Sequence, residues 1–346
     1  MKNKRKSVIA SFLAVIVMIN MSCVDNFLPE SKTAFDRDVA FTQTLFEPVM
    51  GHTTFYTGIF NSANASLPLT FEITDIKHTD GTPATELMEY YPVKVWRTPY
   101  LGNEKSLEEI NAKRSIEYRR LFDVRKHTGE FIMWSEANSS ILRCQPDSGY
   151  TFIVNVSNSG GYKTFKQMRL MPKREVDFEP TIYDSNTGLP ITEYVNPDNI
   201  LMQYESTNRM IDKEDVHIYF KENKDDESPN SSLTISFYDQ EWKPIDPRKF
   251  NETSFDKLFQ AGFLKEITSE QVKYDMAYPL PLFKETTSYT NTAGDKAHVR
   301  FSASYLSRYN IRRTVYLELD LAIYKEAHWK ILVHFANGFP MLGAID

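Results

Sequence analysis

Apolar residues along the chain recur in short alternating runs, not in long stripes at helical spacing. Such runs lie at Thr54 to Phe60, Leu69 to Ile76, Val93 to Trp96, Leu121 to Arg125, Phe131 to Trp134, Tyr150 to Val156 and Thr164 to Leu170. Alternation of period two bounded by Gly, Pro, Asn and Asp predicts β-strands. The stretches 78–81, 127–129, 146–149 and 158–161 supply the turn residues between them. About seven short strands over this length predict a sandwich. One helix interrupts them: Ser106 followed by Glu109 forms a capping box, and the helix is expected to run to about Ile116.

The pattern lapses into charge and proline at residues 171–180, which places a domain boundary there. It resumes at Val216 to Phe220, Leu233 to Tyr238, Val272 to Met276, Ala297 to Tyr305, Thr314 to Tyr324 and Trp329 to Phe335. Val315, Leu317, Leu319, Leu321 and Ile323 alternate with polar or smaller residues, and Trp329, Ile331, Val333 and Phe335 repeat the alternation after a turn. The two runs are expected to pair as a long antiparallel hairpin. A short helix is expected at Ser254 to Gln260, ended by Gly262. The expected fold is all-β: two consecutive immunoglobulin-like β-sandwich domains, at 47–172 and 181–346, with short helical insertions. The abundance of aromatic residues, 23 Phe, 19 Tyr and 4 Trp, fits a pleated surface.

The amino terminus reads differently. Lys2, Lys4, Arg5 and Lys6 precede an apolar run from Val8 to Met21, which is too short to cross a bilayer as a permanent helix and is not followed by a basic stop-transfer cluster. Residues 1–22 therefore read as an export signal. Cys23 follows small Ser22, where a bacterial lipoprotein signal is cut and the new terminal cysteine carries lipid, although Asn20 stands where a lipobox has an aliphatic residue. An ordinary signal peptide with Cys23 as a plain thiol is the alternative. Residues 23–46 are polar and mixed and read as a tether. Cys144, the second cysteine, is then expected to be unpaired and buried. The net charge of −6 and the absence of a basic face argue against nucleic acid as a partner.

The segments PVMGHTTFYTGIFN, EKSLEEINAKRSIEYRRLFDVRKHTGEFIMW, DSGYTFIVNVSNSGGYKTFKQMRLMP and HVRFSASYLSRYNIRRTVYLELDLAIYKEAHWKILVHF resemble a Bacteroidetes lipoprotein family known as domain of unknown function 5007. The resemblance extends over nearly all of the mature chain. It implies an outer-membrane, lipid-anchored protein at the cell surface, of a kind that often accompanies a TonB-dependent transporter and its glycan-binding lipoprotein. The family carries no assigned activity, so the resemblance implies no catalytic residue.

Motifs for chemistry are missing. The sequence has no Gly-x-Ser-x-Gly, His-Glu-x-x-His, phosphate-cradling glycine loop or Cys-x-x-Cys. His52, His78, His127, His217, His298, His328 and His334 are scattered without metal-ligand spacing. Neither a metal, a cofactor nor a catalytic residue is therefore expected. The stretch from Asp184 to Gly188 lacks the last acidic ligand of a calcium loop and reads as an Asx turn. The acidic run 222–227 reads as a solvated loop tip.

Aromatic rings remain as candidates for ligand contact, because a flat ring offers an apolar face at little entropic cost. Trp242, between polar neighbours after a strand, is the first candidate; Trp96 and Tyr100 are next. Trp134 and Trp329, inside dense strand patterns, read as core. Two functional classes stay open: a surface binding or accessory lipoprotein that captures a polysaccharide or peptide or docks on an uptake complex, and a hydrolase whose site is assembled from loops. A structural or adhesive subunit grades into the first.

Overall fold

The computed structural model describes residues 33–307 and 309–343. Cys23 and the signal segment lie outside them. The fold is almost entirely β, as the alternation predicts. The first half contributes β1 (Ala40–Phe41), β2 (Leu45–Phe46), β3 (Thr54–Tyr56), β4 (Phe60–Asn61), β5 (Thr70–His78) and β6 (Tyr91–Trp96). After helix α1 (Leu107–Ala112) come β7 (Arg114–Arg119), β8 (Phe122–Val124), β9 (Phe131–Met133), β10 (Tyr150–Asn158) and β11 (Gly161–Leu170). Strands β2, β11, β10 and β5 form one sheet in that order, β3, β9 and β8 a second, and β6 and β7 a separate ribbon.

Side-chain alternation sets the first core. Tyr150, Phe152, Val154 and Val156 of β10 point inward and are buried. On β5 the buried residues are Phe71, Ile73, Ile76 and His78, a spacing that breaks strict alternation. A register shift where Ile153 faces Asp75 and Val154 faces Ile73 absorbs the extra residue and keeps both isoleucines inside. Phe122 and Phe131 stack at 5.5 Å with Phe46 beside them. Trp134 is half-buried and packs against this core from its margin.

The second half contributes β12 (Phe178–Glu179), β13 (Asn199–Leu201), β14 (Val216–Glu222), β15 (Ser232–Tyr238), β16 (Pro244–Ile245), β17 (Gly262–Ile267), β18 (Val272–Met276), β19 (Ala297–Leu306), β20 (Arg312–Ile323) and β21 (His328–Phe335). One sheet runs β14, β21, β15, β18, β17; in the other, β20 lies between β19 on one side and β12 and β13 on the other. Their apolar faces meet in one cluster that includes Ile235, Phe237, Phe301, Leu317, Leu319, Trp329 and Val333.

Several expectations are corrected. Residues 39–46 are part of the fold and not of a tether: Val39 and Phe46 are fully buried, Phe41 lies in the first core, and β2 pairs in parallel with β11. Phe178, inside the segment expected to divide two domains, is buried in the second core and pairs with Ile323. Helix α1 stops at Ala112, and after the C-cap Lys113 the chain forms β7 from Arg114 to Arg119, because Ile116 and Tyr118 follow strand rather than helical spacing. The Ser106 half of the expected capping box forms, with Glu109 N donating to Ser106 Oγ at 3.2 Å, while the Glu109 carboxylate accepts from Lys105 N at 2.9 Å. The helix expected at 254–260 is one 3₁₀ turn, Phe255–Lys257, and Gly262 opens a strand.

The strands β20 and β21 are not a hairpin. Strand β20 pairs with β19 from Arg312 to Leu321, whereas β21 crosses to the other sheet, between β14 and β15. Each strand has one strongly apolar face, and placing them in opposite sheets turns both faces into the same core. Helix α1 joins the halves: its Leu107 and Ile110 pack with Ala261 and Ala277 of the second half. His52 stacks on Tyr324 at 3.5 Å across the same junction.

Candidate functional site

Trp242 lies in the hairpin joining β15 to β16. Its N–H donates to Asp239 O at 3.0 Å, and Asp239 N donates to Lys243 O at 3.0 Å. The Asp239 carboxylate also accepts from the N–H groups of Glu241 and Lys243, at 2.9 and 3.0 Å. This closed turn places Trp242 at φ 60°, the left-handed region that glycine or asparagine normally fills. A bulky side chain there is strained, and the turn's hydrogen bonds set the indole over the sheet. The ring remains 46% exposed.

Beneath it is His334. The rings stack at 4.0 Å with 11° between planes. Alternation on β21 turns Ile331, Val333 and Phe335 into the core and leaves His334 on the outer face, where the indole covers it to 7% exposure. Neither imidazole nitrogen makes a hydrogen bond, and the carbonyls of Asp239 and Gln240 only approach the ring. Burial, reinforced by His217, pushes the His334 pKa below the ordinary histidine value.

The sheet register extends this pair into a row. Strand pairing sets His217 and Tyr238 on either side of His334. Tyr194 stacks on His217 at 3.7 Å, while Tyr219 and Tyr238 flank Trp242 at 5.6 and 5.5 Å. Six rings thus share one end of the outer face of the sheet. From Tyr238 the same side of β15 continues as Ser236, Thr234 and Ser232, small hydroxyl residues that are all buried. A half-exposed indole backed by further rings offers an apolar face on which a ligand can stack.

Of this row the sequence pointed only to Trp242. Its partners had a legible signal, since His217, Tyr219, Tyr238 and His334 all occupy the positions of their strands opposite the apolar ones. Which strands stand side by side was not legible.

Trp96 and Tyr100 are elsewhere. They meet Phe283 at the junction of the halves, with centroids 5.1 and 5.9 Å from its ring, and the Arg114 guanidinium covers the Trp96 face at 4.4 Å. Tyr100 donates to Gln260 O at 3.2 Å, and burial pushes its pKa up to about 12. These rings join the two halves and are not brought to Trp242. Trp329 is buried, as expected, and its Nε1 donates to Lys325 O at 3.0 Å.

The acidic run contains a surprise. Asp226 is not solvated but pairs with Lys273 at 2.8 Å and accepts from Ser232 Oγ at 3.1 Å. Burial alone would raise its pKa, but hydrogen bonds from Lys273, Ser228 and Ser232 hold it well below the usual carboxylate range. Ser232 Oγ is also 2.9 Å from Nδ1 of His328, so a serine, a histidine and an aspartate are in contact. They do not form a catalytic triad. In a triad the serine and the carboxylate use different imidazole nitrogens. Here Nδ1 faces both, with Asp226 at 3.6 Å, and Ser232 is 1% exposed. The cluster fastens the turn after β14 onto the sheet.

Cys144 is a free thiol, half-buried, with its pKa raised by burial. The Asx turn at Asp184 is formed: its Oδ1 accepts from the N–H groups of Asn186 and Thr187 at 3.1 and 2.7 Å. Among the described residues, no group of three or more His, Cys, Asp or Glu side chains is arranged to hold a metal ion. No curated protein matches the chain. Residues 60–344, most of its length, match the family described as Domain of unknown function (DUF5007), and the protein belongs to that family.

Proposed function

We propose that the protein is a lipid-anchored surface lipoprotein of the outer membrane that binds a ligand and does not transform it. The observation that carries this reading is Trp242, half exposed in a strained turn, supported from below by His334 and flanked by tyrosines. A strained backbone persists when the surrounding structure over-determines it, and such positions cluster at binding sites. The ligand is a polysaccharide or peptide segment whose apolar face stacks on the indole. Attachment through Cys23 and an accessory role beside a transporter and its glycan-binding lipoprotein follow from the signal sequence and the family resemblance.

The test is a binding screen of the purified chain against polysaccharides and peptides, repeated with Trp242→Ala. A hit should lose about thirtyfold in affinity, corresponding to about 2 kcal/mol for a central aromatic. Release of cleavage products from any hit would overturn the reading.

A further inference from the structure

His334 is an odd support for an exposed ring. It is 7% exposed, and both of its imidazole nitrogens lack hydrogen-bond partners. A buried polar group without partners is rare and calls for a reason. An apolar side chain would carry the indole without that cost. What an imidazole adds is the ability to take up a proton in the ordinary pH range.

The surroundings suit the neutral ring and reject the charged one. On β14, His217 lies with its centroid 6.0 Å away and is itself a base, and Tyr219 follows on the same face. Tyr194 covers His217, and Glu193 acts on Tyr219. On β15 the neighbour is Tyr238, and on β21 the preceding residues of the same face are Leu332 and Lys330. In the turn, Lys243 and Glu241 pair with each other, and the Asp239 carboxylate already accepts from two backbone N–H groups. Among the described residues no carboxylate pairs with His334. Protonation therefore leaves two charged donors in a dry site beside a second base. The indole face attracts a cation, but less than the burial of an unpaired charge costs.

The piece free to respond is the turn. Strand β21 is fixed on both sides by β14 and β15, whereas Trp242 is tied to the sheet through the two-residue β16. Opening also relieves its left-handed backbone. We propose that His334 is a proton-operated support: neutral, it carries the indole; protonated, it admits water, and the turn swings Trp242 off the sheet. Only the consequence, release of a stacked ligand in acid, rests on the binding reading above. Burial holds the imidazole of the closed form below the ordinary histidine value of about 6.5. The closed turn is favoured above that value. Each pH unit below it, down to the buried group's own pKa, shifts the balance toward the open turn about tenfold.

The test needs no ligand. The whole purified chain, labelled with fluorotryptophan and isotopic histidine, is titrated by NMR from about pH 7.5 to about pH 5. Trp242→Phe and His334→Leu assign the two signals. The Trp242 fluorine signal should move toward that of free tryptophan with the same midpoint as the His334 ring, while the other three tryptophans hold still. In His334→Leu, an apolar support that takes up no proton, the Trp242 signal should stay in place. His217→Gln is a second arm should the leucine variant fail to fold: without the neighbouring base, the movement should persist with its midpoint at higher pH. A Trp242 signal that stays constant while His334 titrates, movement that persists in His334→Leu, or movement lost in His217→Gln would overturn the proposal. An empty ligand screen would count against the binding reading alone, because none of these signals depends on a ligand.

Discussion

The turn that carries Trp242 can be tested by comparing two truncations of the same side chain, Trp242→Ala and Trp242→Gly. The ring is 46% exposed, so about half of a side chain of roughly 250 Å² is covered. At about 25 cal/mol per Å² that burial contributes about 3 kcal/mol. Removing the indole also uncovers His334, whose unpaired nitrogens regain water, which returns about 1 kcal/mol. The alanine variant should therefore lose about 2 kcal/mol. Glycine loses the same ring but relieves the backbone: a non-glycine residue in the left-handed region costs about 1 to 2 kcal/mol, and glycine gives back part of this through its freer unfolded chain. The glycine variant should thus be more stable than the alanine variant by about 1 kcal/mol, or about 2 to 4 °C in Tm. Urea unfolding and calorimetry measure the difference, and the two variants should lose ligand affinity equally. An alanine variant as stable as the glycine one would refute the left-handed turn. Affinity lost only in the alanine variant would refute direct stacking on the ring.

Other outcomes follow from the same structure. Trp329→Ala should cost about 3 to 5 kcal/mol, as truncation of a buried tryptophan does, seen as a lower urea midpoint. Asp226→Ala leaves Lys273 poorly solvated and without its partner, so it should lose about 2 to 3 kcal/mol, whereas exposed pairs such as Lys243 with Glu241 should contribute little. His334 has a pKa lowered by burial, so the unfolded chain binds its proton first as pH falls below about 6.5. Its contribution to stability is full above that value and is lost toward the folded pKa. His334→Gln should therefore flatten the fall in Tm between about pH 7 and 5, with His52, also lowered by burial, responsible for part of the remaining slope. Cys23→Ser should move the protein from the membrane fraction to the soluble fraction; unchanged membrane association would remove the lipid anchor from the proposal.

What the sequence determined by itself was local. Alternation is a property of neighbouring residues, so β10, β15, β18 and β21 were legible within a residue or two, and so was the Ser106 cap, whose partners are three positions apart. The same reasoning misplaced whatever depended on distant partners. Phe41 and Phe46 looked like parts of a tether because their neighbours are polar; only β11, more than a hundred residues later, gives the nearby Phe46 strand a place in a sheet. The runs that became β20 and β21 looked like a hairpin because they are adjacent and both alternate. Their pairing was settled by β19 and β14, which offered each strand a sheet on its own side of a shared core. The candidate site divides along the same line. The exposure of Trp242 could be inferred from its polar neighbours, but the imidazole beneath it is 92 positions away in the chain. Only the register of β14, β21 and β15 brings His217, His334 and Tyr238 abreast to receive the ring.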